Sequence, residues 1–503
     1  MELRTKIVSA VIRSLKLPPR FRLKMVKEDP VRLELSLTPS YGKNPVIVGI
    51  VESLDLVARR DREGRLPRDL QGTWDWTVRH GKVSTGDFSD HALEKVLKNY
   101  QFNPLDIAFI TELSFGCIRY RKFLDLWTDH TSKITHKKQP PKLRWLLHIG
   151  LYQLLKMDKI PFPAAISTTV EVAKKTDLNA LAGTVNAILR NASRKLEQKI
   201  FPELSSDRKE RISYLESFPL WLVKDLYKWV GNSEGENIIK AFNKKPSIDL
   251  RINQLKTNLD NFLKVLHENN IDAEIINDLH NGITLKSNPR SIKNLPGYSD
   301  GLWTIQDRSS QWIAPLLNPK EGEKILDACA APGSKSTHLA ELTNDSAEII
   351  AVDRSAKRLK ILQSNLERLN LKSVNTLKAD ATSLIELNPK FISYFDKILL
   401  DAPCSGIGTL SRNPDSRWSL SKEKIKSLTL LQEKLLESIF PLLKKDGTLV
   451  YSTCTICPDE NNLLIERFIE KNKTLKLVSQ KQILPSLDYP GDGFYSAIIS
   501  YKS

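Results

Sequence analysis

Between Glu323 and Tyr451 the chain alternates short apolar runs with helical segments. The runs Lys324–Leu326, Ala347–Val352, Val374–Leu377, Lys397–Leu400 and Thr448–Tyr451 read as strands. Strands joined by helix-length connections cannot pair as hairpins, so each connection crosses over, which gives a parallel sheet with helices on both faces. A sheet of this kind gathers the loops at its strand C-termini along one edge, where ligands bind. In such an α/β, Rossmann-like domain the residues just after each run are the candidates for chemistry.

After the first run comes Asp327-Ala328-Cys329-Ala330-Ala331-Pro332-Gly333-Ser334-Lys335-Ser336, a tight loop of small residues that opens a helix. Small side chains let a ligand approach the backbone, and the helix N-terminus offers free N–H groups. The loop has neither the G-x-G-x-x-G spacing of dinucleotide enzymes nor the Gly-Lys pair of a phosphate-binding P-loop. The second strand ends in Asp353, placed to accept hydrogen bonds from ribose hydroxyls, and the third ends in Asp380, which can take an adenine amino group. One such acid taken alone is more often a strand-end turn residue. Three in register, Asp327, Asp353 and Asp380, point to a cofactor containing adenosine.

The fourth and fifth strands each end in a cysteine segment, Asp401-Ala402-Pro403-Cys404-Ser405-Gly406 and Tyr451-Ser452-Thr453-Cys454-Thr455. Thiols so placed are expected to face a common pocket, which suggests chemistry on one substrate atom. The residues alone do not rank the two thiols. Arg412, Arg417 and Trp418 follow the first segment and are candidates to hold phosphate or stack on a base, against the plain alternative of a surface loop with a buried Trp. Cys329 and Cys117 read as small buried residues, and Cys457 has no assigned role. Five scattered cysteines argue for a reducing compartment, hence a cytoplasmic protein, and Cys454-x-x-Cys457 lacks the second ligand pair of a zinc site, so no metal is expected.

Upstream the pattern is different. From about Ser89 to Leu196 apolar residues recur at helical spacing, in Ala92-Leu93 with Val96-Leu97, in Ile107-Ala108-Phe109, from Leu143 to Leu155 and from Val170 to Ile188, with prolines at 140, 141, 161 and 163 between them. This is an all-α bundle. Short runs from Pro246 to Leu295 suggest a small α+β element. Charge is uneven: residues 1–200 hold 35 Lys+Arg against 21 Asp+Glu, a net of +14 within the chain's +17. A one-sided excess of this size suits a face that binds a polyanion such as nucleic acid. Residues 1–80 carry mixed signals, an apolar run Pro45–Val51, a charged stretch Arg59–Arg68 and Trp74-Asp75-Trp76, and receive no function. Met1–Lys24 is basic with Glu2 its only acid and lacks the apolar core of a secretory signal, leaving an organelle transit peptide as the alternative to an ordinary basic segment. No run approaches 18 apolar residues, so no membrane-spanning helix is expected.

Several of these segments carry a family resemblance. Asp-Ala-Cys-Ala-Ala-Pro-Gly-Ser-Lys from Asp327, Asp-Ala-Pro-Cys-Ser-Gly from Asp401 with Arg412-Asn413-Pro414-Asp415 and Trp418, and Ser-Thr-Cys-Thr from Ser452 with Glu460-Asn461 resemble the motifs of the RNA cytosine-5 methyltransferases of the Sun (NSUN) family, over roughly residues 215–503. Ser334 stands where the family usually has Gly, and Asn462 where Glu often follows Glu-Asn. Asp106-Ile107-Ala108-Phe109, Glu112 to Gly116 and Gly183 to Arg190 resemble the NusB antitermination-factor fold. The combination is similar to bacterial Sun-type enzymes of 16S, small-subunit rRNA.

The resemblance implies three parts beyond the unassigned residues 1–80: an RNA-binding, NusB-like helical domain at 81–200, a small α+β, RRM-like domain at 201–300, and at 301–503 a Rossmann-like methyltransferase domain using S-adenosylmethionine. It implies donor binding by Cys329, Ala330, Ala331, Pro332, Gly333, Ser334, Lys335, Asp353, Asp380 and Asp401. It makes Cys454 the nucleophile that adds to cytosine C6, Asp401 the group beside N3, and Cys404 the residue that assists release. DNA cytosine-5 methyltransferases instead attack from a Pro-Cys pair, which would favour Cys404, so this order comes from the family. The expected partner is small-subunit rRNA, acted on by a monomer. The same chemistry on tRNA or large-subunit rRNA, or an RNA-binding assembly factor with a vestigial catalytic domain, are the alternatives.

Overall fold

A computed structural model of the chain describes residues 104–287, 289 and 292–502, together with Leu93 and Leu97. The features read at Met1–Lys24, Pro45–Val51, Arg59–Arg68 and Trp74-Asp75-Trp76, and the helical starts at Ala92 and Val96, lie outside the described residues. The chain divides into two compact units at Ser217/Phe218.

The first unit is helical: α1 (Pro104–Arg119), α2 (Arg121–Thr131), α3 (Pro141–Lys156), α4 (Phe162–Lys174), α5 (Ala182–Glu197) and α6 (Arg208–Leu215). Pro141 opens α3, where its missing N–H costs nothing, and Leu143, Leu146, Leu147, Leu151 and Leu154 form its buried stripe. The apolar stretch from Val170 to Ile188 is not one helix. The polar residues Thr176 and Asn179 reverse the chain between α4 and α5, with Thr176 Oγ1 accepting from the Leu178 amide at 3.3 Å. A buried polar knot pins α2 to α3: Asp125 accepts from Arg144 Nε at 2.6 Å and shares a hydrogen bond with His148 Nε2 at 2.9 Å. Burial alone would raise this carboxyl, but the bonds from His148 and Arg144 hold it well below the usual carboxylate range. Helix α6 belongs with this unit, because the Lys122 amide donates to Ser217 Oγ at 2.9 Å, so the division falls past the composition break at Lys199.

The second unit begins with α7 (Leu220–Val230) and α8 (Asn232–Ala241). A four-stranded antiparallel sheet of order β2-β3-β1-β4 follows, built from β1 (Ile248–Ile252), β2 (Ala273–Ile275), β3 (Gly282–Leu285) and β4 (Trp303–Ile305). Helix α9 (Leu259–Glu268) buries Phe262 and Leu266 in a core with Leu250, Ile252, Ile283 and Trp303. Strand β4 lies beyond residue 300, since Leu250 pairs with Ile305, and the middle element runs on to Ile305.

The larger sheet has seven strands in the order β10-β11-β9-β8-β5-β6-β7. They are β5 (Lys324–Asp327), β6 (Glu348–Asp353), β7 (Val374–Lys378), β8 (Phe395–Asp401), β9 (Leu443–Thr453), β10 (Leu475–Ile483) and β11 (Phe494–Tyr501). Helices α10 (Ser334–Leu342) and α11 (Ala356–Leu369) cover one face, and α12 (Lys422–Ile439) and α13 (Asn462–Lys471) the other. The strands from β7 to β9 are parallel, as the alternation predicts. Helix α13 carries the chain from β9 to β10, and β11 then returns antiparallel between them with no helix to announce it. β10 is an exposed edge bearing Lys476 and Lys481, charges that discourage pairing with another chain.

Leu399, on the central strand β8, is fully buried. Leu399→Ala is expected to cost about 2–5 kcal/mol. Urea denaturation of the full chain checks this, with a lower midpoint as the expected outcome.

Candidate active site

β5 pairs with both β6 and β8, so the chain leaves it in opposite directions and a crevice opens beyond its C-terminal end. The small-residue loop and both cysteine segments border this crevice. Cys404, after β8, and Cys454, after β9, bring their Sγ atoms to 3.4 Å. The hydrogen bond to Cys454, then burial, pushes the Cys404 thiol well above the usual cysteine range. Either sulfur can be the donor in this contact. Cys329 and Cys117 are also held as thiols by burial, and burial takes Cys457 up to about 12. All five cysteines are free.

A buried carboxylate ties the two loops together. Glu460 is fully buried and accepts from the Ser405 amide at 2.8 Å and from Gln432 Nε2 at 3.0 Å, and also from Ser405 Oγ. Gln432 reaches the Pro403 carbonyl at 2.9 Å as well, and Ser405 Oγ meets Thr455 Oγ1 at 2.8 Å. Burial raises the Glu460 carboxyl above its ordinary range, and these donors oppose the rise. Next to it, Asn461 accepts from Thr453 Oγ1 at 2.6 Å and donates to the Thr455 carbonyl at 3.0 Å. The sequence carried Glu460 and Asn461 as family motif only; the available signal was an acid–amide pair directly after the second cysteine loop. A third tie is made by backbone. The Gly408 amide donates to the Cys454 carbonyl at 3.1 Å, and the Gly493 amide donates to the Gly408 carbonyl at 2.9 Å. A Cβ on Gly408 would stand 2.0 Å from the Gly493 carbonyl oxygen, so only glycine permits this crossing.

Asp401, at the end of β8, accepts from Lys335 Nζ at 2.7 Å and Ser452 Oγ at 2.9 Å, and its side chain is 31% exposed. Lys335 thus links the small-residue loop to the first cysteine segment. Asp327 is buried at the foot of that loop; Ser336 Oγ donates to its Oδ2 at 2.6 Å, while Oδ1 has no partner. Ala330 donates its amide to Val352 at 2.8 Å, and Arg358 donates to the Ala331 carbonyl, so the loop is held against β6. Asp353 is buried, 3.1 Å from Arg358 Nη1, and accepts from the Ser355 amide at 2.8 Å. Asp380 is exposed and caps its turn through the Thr382 amide at 2.9 Å, which lowers its carboxyl.

Arg412 and Arg417, candidates for holding phosphate, are engaged within the protein instead. Arg417 is fully buried, with its guanidinium 3.9 Å over the Phe218 ring and Nη1 donating to Asn243 at 2.9 Å. Arg412 donates to Asp492 at 2.8 Å, Asp307 at 2.7 Å and the Ser247 carbonyl at 3.0 Å. Guanidiniums withdrawn from water require such fixed partners. Both fasten the loop after Cys404 to residues 218–307, and the half-buried Trp418 lies beside them.

Known proteins share this architecture. Family models for the 16S rRNA methyltransferase RsmB/F, the NusB family and the RsmF/B-like ferredoxin-like domain match residues 314–495, 73–194 and 218–292, and a domain of unknown function matches 4–107. A probable ribosomal RNA small subunit methyltransferase B of Synechocystis is 40% identical over 77% of this chain and 86% of its own. The chain belongs to the ribosomal RNA small subunit methyltransferase B family. A second relative of that name, from Proteus mirabilis, is 36% identical over 82% of this chain and 94% of its own. A methyltransferase homolog from Pyrococcus horikoshii superposes with a TM-score of 0.53 at 28% identity, over 59% of this chain and all of that one. The PH0851 structure shares the fold, with a TM-score of 0.73 at 23% identity over 92% of this chain and 100% of that one.

This family member is an RNA methyltransferase whose methyl donor is S-adenosylmethionine, with the NusB-like, ferredoxin-like and Rossmann-like parts that the motifs imply. The crevice fits the donor. Asp327 Oδ1 is a buried acceptor left over beside the loop, and Gly333, at φ +107°, packs so closely on Leu362 that a Cβ would fall 2.2 Å from Cδ1. Among the described residues no His, Cys, Asp and Glu cluster could hold a metal ion, and no helix is long and apolar enough to cross a membrane.

Two outcomes follow from this geometry. Gly408→Ala should lower both the melting temperature and methyl transfer, because the clash falls on backbone that cannot yield; unchanged activity would show that the crossing is dispensable. Burial pushes the Asp327 carboxyl up from 3.8 to about 7, so between these values the folded state holds a proton that the unfolded chain has released. Its contribution to stability is full below the lower value and is lost as pH rises through the upper one. Denaturation midpoints of donor-free protein should fall between about pH 5 and about pH 7.5 more steeply in wild type than in Asp327→Asn. Equal slopes would exclude Asp327 as the titrating group.

Proposed function

We propose that this methyltransferase modifies cytosine C5 in small-subunit (16S) rRNA through a covalent bond between Cys454 Sγ and C6 of the base. The observation that carries the reading is the 3.4 Å approach of the two thiols at the C-terminal ends of adjacent parallel strands. Cytosine C5 is a weak nucleophile until a group adds at C6 and pushes electron density onto C5. Cys454 makes that bond as a thiolate, in the order that the family resemblance implies, while the contact with Cys454 and burial keep Cys404 a thiol. Asp401, held by Lys335 and Ser452, supports the addition by donating a proton to N3.

S-adenosylmethionine supplies the methyl group to C5. Cys329 to Lys335, Asp353, Asp380 and Asp401 would hold it, with Asp353 on the ribose and Asp380 on the adenine. A base, the Cys404 sulfur or a water, then takes the C5 proton, and the electron pair left behind re-forms the C5–C6 double bond and expels Cys454 as a thiolate. Once Cys454 is bonded to the base, Cys404 no longer faces the partner that kept its proton in place and can assist release. The ring must present its face to Cys454, so the target nucleotide is unstacked or single-stranded. The basic NusB-like part supplies RNA affinity, and five free thiols suit a cytoplasmic enzyme.

Cys454→Ala is expected to be inactive and to form no protein–RNA adduct, whereas Cys404→Ala accumulates one, read by denaturing electrophoresis with labelled RNA. The reverse pattern would exchange the roles. Labelled methyl should enter unmodified small-subunit rRNA in preference to tRNA or large-subunit rRNA; incorporation into neither ribosomal RNA would reject the substrate. RNA affinity should fall steeply between about 50 and 200 mM salt, and a flat response would remove the basic region as the anchor.

A further inference from the structure

Arg251, on the middle-domain strand β1, is buried together with its ion-pair partner Glu341 on α10, their side chains 1% and 2% exposed. The contact with Glu341 is bidentate, Nε to Oε2 at 3.0 Å and Nη2 to Oε1 at 2.8 Å. Nη2 also donates to Thr337 Oγ1 at 2.9 Å, and Nη1 donates to the Ser334 carbonyl at 2.7 Å and to Gln306. A guanidinium has five N–H donors, and all five are used. Four of these five bonds hold α10, the helix that ends the donor loop, at Ser334, Thr337 and Glu341. Lys335, the residue after the gripped Ser334 carbonyl, is the one that holds Asp401.

We propose that Arg251 is a positioning residue of the methyltransferase: from outside the catalytic domain it fixes the first turn of α10, and so the donor loop and the Lys335–Asp401 contact. A planar fork can hold a carboxylate, a carbonyl and a hydroxyl at once, which an ammonium on a flexible stem cannot. The position of the donor loop therefore depends on the middle domain. The inference rests on the methyltransferase reading for the meaning of its readout, though not on the identity of the RNA.

The test compares full-length wild type, Arg251→Met, Arg251→Lys and Arg368→Met. Arg368 fastens the same two domains through α11, donating to the carbonyls of Tyr298 at 2.9 Å and Trp303 at 3.0 Å without touching α10. Calorimetric binding of S-adenosylmethionine, well below each melting temperature, should weaken about tenfold in Arg251→Met and several-fold in Arg251→Lys, and stay within about twofold in Arg368→Met. In turnover, the KM for S-adenosylmethionine should rise while the KM for RNA holds; a merely structural role would lower the active fraction and leave both unchanged. Wild-type affinity in Arg251→Met overturns the proposal, as does an equal loss in Arg368→Met, which would assign the effect to domain docking. If Arg251→Met does not fold, Arg251→Lys decides, and wild-type affinity there overturns it. A wild-type protein that binds S-adenosylmethionine but methylates no rRNA rejects the proposed substrate and leaves the binding comparison intact.

Discussion

Parallel pairing of β5, β8 and β9 is the constraint on which the site depends. Asp327 lies opposite Leu399 and Asp401 opposite Ser452, so the three strands finish within a few residues of one level. A slip of one residue would turn every side chain of a strand to the other face of the sheet. The register is secured because both faces are covered: Leu326, Ile398 and Leu400 pack toward α12 and α13, and Ile325, Leu399 and Val450 toward α10 and α11. Donor loop and cysteine loops are neighbours as a consequence of strand order alone. The chain needs no further device to bring residues 327, 401 and 454 together.

Beyond the strand ends, polar contacts take over from apolar packing. Loops beside an open crevice cannot be packed with leucines, and those after Cys404 and Cys454 are stiffened instead by Glu460, Gln432 and Asn461. Burying that carboxylate is unfavourable unless donors surround it, and the Ser405 amide and hydroxyl and the Gln432 amide do so. The half-buried thiols gain a rigid mounting.

How much of this was legible depended on whether a feature was local. Strand runs, the small-residue loop and the strand-end acids are written in consecutive residues, and the alternation led directly to the parallel sheet. The hairpin of β10 and β11 was not legible, since β10 exposes most of its side chains and no helix separates it from β11. Arg412 and Arg417 misled because an arginine beside a catalytic loop looks the same in sequence whether it faces phosphate or a buried Asp492 or Phe218. Arg251 was invisible for a related reason: its partners, Ser334, Thr337 and Glu341, are in another domain, and spacing along a chain says nothing about contacts between domains. The order of the two thiols was also closed to spacing, and came from the family.

The Gly408–Gly493 crossing and the pairing of β9 with β11 have a consequence for biosynthesis. The segment from Gly493 to Tyr501 is translated after every other part of the site, yet it supplies the outer neighbour of β9 and the amide that secures the loop behind Cys454. While that segment is still inside the ribosome, β9 has an open edge and the loop after Cys404 lacks one of its ties. The thiol pair therefore reaches its final arrangement only as this last hairpin emerges. A nascent chain cannot assemble the finished pocket on the ribosome that is making it before those residues are free.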